Sequence, residues 1–421
     1  MIGLIGALAI MWGTAMSLSL DAADFGVIGD GETDDTDAIQ QALNAAGETP
    51  GASVMLETKT YRIDGTIEIP ANTTLQGTYL GPANRAGTTL RVFGGKGRTE
   101  GPGAVVLRDG MAILRGVRFE YPDQSVDAEE PVEFPYSITG GHSSRIEEVF
   151  LLNSYKGINL DGAHANMVRN VWGEPLRVGI HVDHCYDVSR IENVHFWPFY
   201  TLAEGPLRQW VQQHGVSFQF GRSDWQYVHN VFSYGYHTGV RFFRTEGVPE
   251  KGYPAGATNG QFVGVGIDST VIGVDVEDSF DIGVSFTNSL FGPFAAITTR
   301  AIRLQEENTG NLTFVNCNFW AVTSALAEVH SGSLTLQGCT IHEWGIHEPE
   351  EPAFRVHGGR LNVTGCTFNS GGLALVAEGE DTRVSLTNAM GTDEPLLVVN
   401  HIGDRFMEGL NNPPVQLREG R

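Results

Sequence analysis

Apolar and polar residues alternate through most of this chain, which is the period of a strand with one buried face. The clearest runs are SRIEEVF (144–150), NMVRNVW (166–172) and SRIENVHF (189–196). Ile146, Val168 and Ile191 correspond, 168 − 146 = 22 and 191 − 168 = 23 residues apart. Shortly after each of the first two runs comes a second strand opening with Gly, GINLDG and GIHVDH. The pattern recurs as YVHNVF, FVGVGI, FTNSLF, LTFVNCNF, LTLQGCTI, LNVTGCTF and VSLTNAM. A repeat of this length cannot bury its apolar face alone, so the copies must stack into a solenoid with one continuous core.

Two columns of the repeat predict its geometry. One reads Glu148, Asn170, Asn193, Asn230, Gly264, Asn288, Asn316, Gly338, Gly365, Asn388. Asn and Gly tolerate a left-handed backbone, so this column predicts a sharp corner at the same place in every coil, with Asn amides bonding along the stack. The next column, Val149, Val171, Val194, Val231, Val265, Ser289, Cys317, Cys339, Cys366, Ala389, is small and mostly apolar and should point inward. Three of the four cysteines fall there. Stacked as small hydrophobes, they are expected to stay reduced. The prediction is an all-β chain, a parallel β-helix with coils about 4.8 Å apart. Its open end is covered by a helix over 34–46 (DDTDAIQQALNAA), with Asp34 or Asp35 at the N-terminus, an apolar face of Ala38, Ile39, Ala42 and Leu43, and Gly47 as the stop.

The run MIGLIGALAIMWGTAMSLSL reads as an export signal over 1–20. The expected organisation is then a capping segment over 21–60, the β-helix over 61–406 and a non-repeating tail over 407–421 outside the coils. The chain is expected to be secreted, periplasmic or at the cell surface. It would have no membrane contact after signal removal, and homo-oligomers stay open.

Charge narrows the function. With 50 acidic and 27 basic residues the net charge is −23, which repels nucleic acids and anionic membranes. No CxxC or Cys/His metal spacing, GxGxxG fingerprint, EF-hand loop or serine nucleophile elbow is present, so no resident metal or cofactor is expected.

The stretch DFGVIGDGETDDTDAIQQAL (24–43), followed by YRI, IEIPANTTLQG and the coils, resembles the pectate lyase superfamily, in its rhamnogalacturonase/epimerase-like, polygalacturonase-related branch. The resemblance implies a right-handed, single-stranded parallel β-helix whose substrate lies along one sheet. It does not fix the reaction, because members resemble hydrolases, lyases, epimerases and phage tailspikes. The polygalacturonase motifs (Asn-Thr-Asp, Asp-Asp, Gly-His-Gly, Arg-Ile-Lys) are not recognisable here.

The strands GINLD, GIHVD, GVSFQF, GVRFF, GVDVED and AIRLQE would line that groove. Alternation turns Asn159, Asp161, His181, Asp183, Ser217, Gln219, Arg241, Phe243, Asp275, Glu277, Arg303 and Gln305 outward. This strip is dense in carboxylates, His and Arg. Glycoside hydrolysis needs two carboxylates, about 5–5.5 Å apart for retention and about 6.5–9.5 Å for inversion. Asp275 and Glu277, two residues apart on one face, suit the wider spacing and are the first candidates for acid and base. Asp161 and Asp183 occupy one position on adjacent coils and should share a proton, or hold a hydroxyl or a cation. Candidate substrate contacts are His181, Arg222, Asp224, Trp225, Arg241, Phe243 and Arg303. Trp197 and Trp210, in the long loop 195–210, offer aromatic faces to sugar rings. For a lyase, a base removes the proton alpha to a uronate carboxylate while Arg222 or Arg241, with calcium on Asp161 and Asp183, neutralises that carboxylate. Three readings remain open: a paired-carboxylate hydrolase of a poly- or oligosaccharide, a uronate lyase or epimerase, and a non-catalytic glycan-binding or structural β-helix.

Overall fold

The computed structural model describes residues 18–79, 81, 86–202, 204–294, 298–370, 372–392, 394–412 and 414–418. They form a right-handed parallel β-helix capped by one helix. Each coil contributes strands to two sheets, of 23 and 14 strands among the described residues. Register follows the repeat. Ile146 pairs with Val168, Val168 with Ile191, Ile191 with Val228 and Val228 with Phe262.

The corner column behaves as its residue types require. Glu148, Asn170, Asn193, Asn230, Asn288, Asn316 and Asn388 all take φ between 51° and 56°, and Gly264, Gly338 and Gly365 lie at 60–66°. The amides bond along the stack: Asn193 Nδ2 donates to Asn170 Oδ1 at 2.8 Å and Asn230 Nδ2 to Asn193 Oδ1 at 3.3 Å. Inside, Phe220, Phe242, Phe262, Phe286 and Phe314 form a continuous ring stack with centroids 4.9–5.6 Å apart. Each is fully buried, worth roughly 1.5–3 kcal/mol apiece. All four cysteines are free and buried.

The capping helix spans Thr36–Gly47 and buries Ile39, Ala42, Leu43 and Ala46 against the first coils. The two aspartates divide the work at its start. Asp34 Oδ1 accepts from the Thr36 N–H and hydroxyl, whereas Asp35 accepts from the Ile28 and Gly29 N–H groups and ties the preceding loop down.

The expected boundaries need correction at both ends. Ser19–Asp21 pairs in parallel with Ser53–Met55, and Asp30–Asp34 with Thr60–Ile63, so coils begin inside the supposed 21–60 capping segment. A boundary after residue 20 would divide the first strand. Most of the proposed signal, residues 1–17, lies outside the described residues. At the other end, Phe406–Glu408 and Val415–Arg418 pair with preceding strands, so the solenoid continues through the described part of the expected tail. Strands of three to five residues are too short to show a period, yet sheet-edge backbone still needs partners. Ser217, expected outside, is buried and bonds Ser233 Oγ at 2.8 Å. The loop 195–210 leads into a helix, Pro206–His214. Among the described residues no helix is long and apolar enough to cross a membrane.

Candidate functional site

The outward column of the 14-stranded sheet runs His181, Gln219, Arg241, Asp275, Arg303, Glu328 and Arg355, each the register partner of the next. From Arg241 onward the charges alternate in sign. Opposite charges on adjacent coils attract across one strand spacing, and both carboxylates expected to act as acid and base have an arginine partner. Asp275 is buried and accepts from Arg303 Nε at 2.8 Å, Arg303 Nη2 at 2.9 Å and Gln305 Nε2 at 2.9 Å. Glu277 accepts from Arg241 Nη2 at 3.1 Å. His181 and Phe243 stack at 5.9 Å, and the Arg241 guanidinium lies over Phe243.

The loop aromatics sit elsewhere. Trp210 packs on Tyr155, at the start of the outward strands, and Trp197 packs on Tyr234 at 4.5 Å. Both are therefore near the strand starts, whereas Asp161 and Asp183 are the last residues of their strands. Arg222 and Asp224 form a two-point ion pair that pins its own turn, with Asn259 Nδ2 donating to Asp224. Trp225 is exposed on that turn, at φ 54°.

At the strand ends the structure builds a different centre. Asp161 and Asp183 are register partners, as the repeat predicts. Their side chains do not form a carboxylate pair, because the His184 imidazole stands between them. Asp183 is buried, and its Oδ1 accepts from the His184 N–H at 2.7 Å, the Arg222 N–H at 2.8 Å and Thr245 Oγ1 at 2.8 Å. Asp161 is half-exposed and lies 2.7 Å from His184 Nδ1. His184 Nε2 faces the Glu246 carbonyl at 3.2 Å. With an oxygen acceptor at each ring nitrogen, the doubly protonated ring is favoured. Burial pulls the His184 pKa down. The Asp161 hydrogen bond, the Asp183 charge and the Glu246 carbonyl outweigh it, and the net direction is upward from 6.5. His184 holds φ 44°, a left-handed conformation that its hydrogen bonds must maintain.

A hairpin closes over this centre. Antiparallel bridges join Thr245 to Gly256 and Val248 to Tyr253. The Tyr253 ring lies 5.3 Å from the His184 ring and 5.3 Å from Tyr186. Tyr253 and His184 wall a cavity of about 220 Å³ with Asp109, His142, Asp161 and Lys251. His142 Nδ1 accepts the His164 N–H, so in the neutral ring the proton sits on Nε2. Lys251 has no carboxylate partner among the described residues, unlike Lys59, Lys96 and Lys156. Tyr253, His142 and Lys251 were not candidates in the sequence. The available signal was TEGVPEKGYPAGATNG (245–260), a long insertion in a regular repeat, where function tends to collect.

Ligand atoms of Asp161, Asp183 and His184 lie within 4.8 Å of one another. They do not fit calcium, which takes six to eight oxygens. Asp183 Oδ1 already accepts three donors, and the Asp161–His184 contact has hydrogen-bond length.

The coil and its capping helix have a pectate lyase-like β-helix fold, related to that of the rhamnogalacturonase/epimerase group. Residues 19–97 match the family model "Rhamnogalacturonase A/epimerase, pectate lyase-like". Alginate lyase 7 of Azotobacter vinelandii is 39% identical over 71 residues, 15% of this chain and 8% of that protein. Among solved structures, PfbA, a surface adhesin of Streptococcus pneumoniae, superposes with a TM-score of 0.59 at 14% identity, over 91% of this chain and 93% of that one. The N-terminal fragment of bacteriophage Phi29 gene product 12 gives 0.56 at 12% identity, over 93% and 70%. At these identities the two likenesses show the fold.

Proposed function

We propose that the protein acts on a uronate-containing polysaccharide as a lyase or C5-epimerase, at the cavity between the strand ends and the 245–256 hairpin. The observation that carries this is His184, held toward its cationic form by Asp161 and the Glu246 carbonyl, directly beneath the Tyr253 ring. The C5–H of a uronate is acidic only when the charge developing on its carboxylate is neutralised. His184 and Lys251 supply positive charge, and the His142 Nε2–H supplies a donor, in an otherwise acidic protein. The Tyr253 hydroxyl is then the group placed to move the proton. In elimination, the C5–H electron pair forms the C4–C5 double bond, the C4–O bond breaks and the leaving oxygen takes a proton. In epimerisation, a proton returns to the opposite face of C5.

The likeness of a 71-residue stretch to an alginate lyase supports this chemistry over hydrolysis. So does the ion pairing of Asp275 with Arg303 and of Glu277 with Arg241. The second reading is glycan binding without turnover, since the fold shared with a surface adhesin fixes no reaction. Both readings place the protein outside the cytoplasm. The test is a panel of mannuronate, guluronate and galacturonate polymers. Unsaturated ends or inverted C5 centres are expected on at least one. New reducing ends without unsaturation would overturn the proposal in favour of hydrolysis, and binding without any product would overturn it in favour of the second reading.

A further inference from the structure

A second cluster lies further along the same strip, and it has the geometry of a metal centre. Glu328 is the outward residue at the middle of the strand Ala327–Val329, and His330 and His357 follow that strand and the next one, Phe354–Val356. His330 Nε2 is 3.4 Å from Glu328 Oε1, and His357 Nε2 is 3.8 Å from the same oxygen. These separations are too long for good hydrogen bonds. They do match the spacing of neighbouring ligands around one tetrahedral ion: bonds of about 2.0–2.2 Å place ligand atoms roughly 3.4 Å apart. All three ligand atoms lie within 4.8 Å of one another.

The surroundings orient these groups. The other nitrogen of His357, Nδ1, sits 2.6 Å from Glu378 Oε1. A carboxylate at that position fixes the proton on Nδ1 and turns the Nε2 lone pair toward Glu328, the arrangement that supports metal-bound histidines. Glu328 Oε2 is ion-paired with Arg300, 2.7 Å from its Nε, leaving Oε1 to the histidines. The two imidazoles stack at 4.7 Å with 15° between planes, so they approach as a pair. His330 also lines an open cavity of about 320 Å³ with Arg303 and Gln305.

We infer that Glu328, His330 and His357 form a site for a divalent transition ion of the zinc class. Two imidazoles and one carboxylate favour such an ion over calcium or magnesium, which take all-oxygen shells. Three protein ligands leave a fourth coordination position for water. The inference is independent of the uronate chemistry at His184.

Cobalt(II) titration of the full chain, stripped beforehand with chelator, tests it. The expected result is one ion per chain, with the intense visible absorption of a tetrahedral site, displaced by zinc. His330→Ala and His357→Gln should each abolish it. Glu378→Gln should weaken binding ten- to hundredfold. His184→Ala should leave uptake unchanged. Circular dichroism checks that each variant is folded. Failure of the folded wild type to take up cobalt overturns the inference. So does uptake that survives both His330→Ala and His357→Gln, or that is lost in His184→Ala alone.

Discussion

Asp275 and Arg303 meet across adjacent coils in a two-point ion pair, Nε to Oδ1 at 2.8 Å and Nη2 to Oδ2 at 2.9 Å. The aspartate side chain is 8% exposed and the arginine 34%. Removing one partner of a buried pair strands the other charge. Asp275→Ala should therefore lower stability by about 2–3 kcal/mol, at the low end for such pairs because Arg303 keeps part of its surface in water. Activity per folded molecule should stay near wild type. Denaturant melts alongside turnover measure both, and lost turnover with unchanged stability would return Asp275 to the chemistry.

Asn193 tests the corner column. At φ 51° it both adopts the left-handed turn and bonds its neighbours along the stack. Asn193→Val should cost about 1–2 kcal/mol or more from backbone conformation alone. Asn193→Gly keeps the turn and loses only the amide bonds, so its cost should be nearer 1 kcal/mol. Equal losses in thermal melts would mean that the amide ladder, and not the turn, sets this column.

Much of this architecture was legible in the sequence, because it is periodic. Ile146, Val168 and Ile191 repeat at nearly constant spacing, and the Asn or Gly at every corner of the column but Glu148 has a single backbone reason to be there. The strip of outward charges was legible too. Its pairing was not. Asp275 reads as a free acid until the register sets it beside Arg303, and nothing local to either residue reports the other. The strand-end centre was half legible: Asp161 and Asp183 align by repeat, but His184 lies one residue beyond the strand. Tyr253 and Lys251 come from an insertion that obeys no period. The terminal coils were missed because their strands are too short to alternate visibly.

Protonation of His184 predicts a pH dependence of stability. Its folded pKa is raised above 6.5, so the folded state binds the proton more tightly than the unfolded state does. That stabilisation is complete below pH 6.5 and is lost as pH rises through the folded value. His164 works in the opposite sense. Burial, then the charge of His142, lowers its pKa, so the folded protein loses stability as pH falls below 6.5. In melts across this range, His184→Gln should abolish the loss of stability on the alkaline side and leave the acid side intact. An unchanged alkaline limb would contradict the assignment of His184.

The cysteines should be silent in the native state. All four are buried and free, and burial pushes the Cys185 thiol up to about 12. A thiol reagent should find almost nothing in the folded protein and four reactive groups in denaturant, with no change in Tm on adding reductant. Fast labelling of the folded chain would mean that the inward column opens readily.

The most direct measurement of the central claim follows hydrogen at C5. The protein is incubated with a uronate polymer in D2O, and the sugar is read by NMR. The account predicts deuterium at C5, or an unsaturated C4–C5 end, with the wild type, and a loss of at least a hundredfold in rate with folded Tyr253→Phe. Cleaved polymer that keeps its C5 hydrogen, or an undiminished rate in Tyr253→Phe, would contradict it.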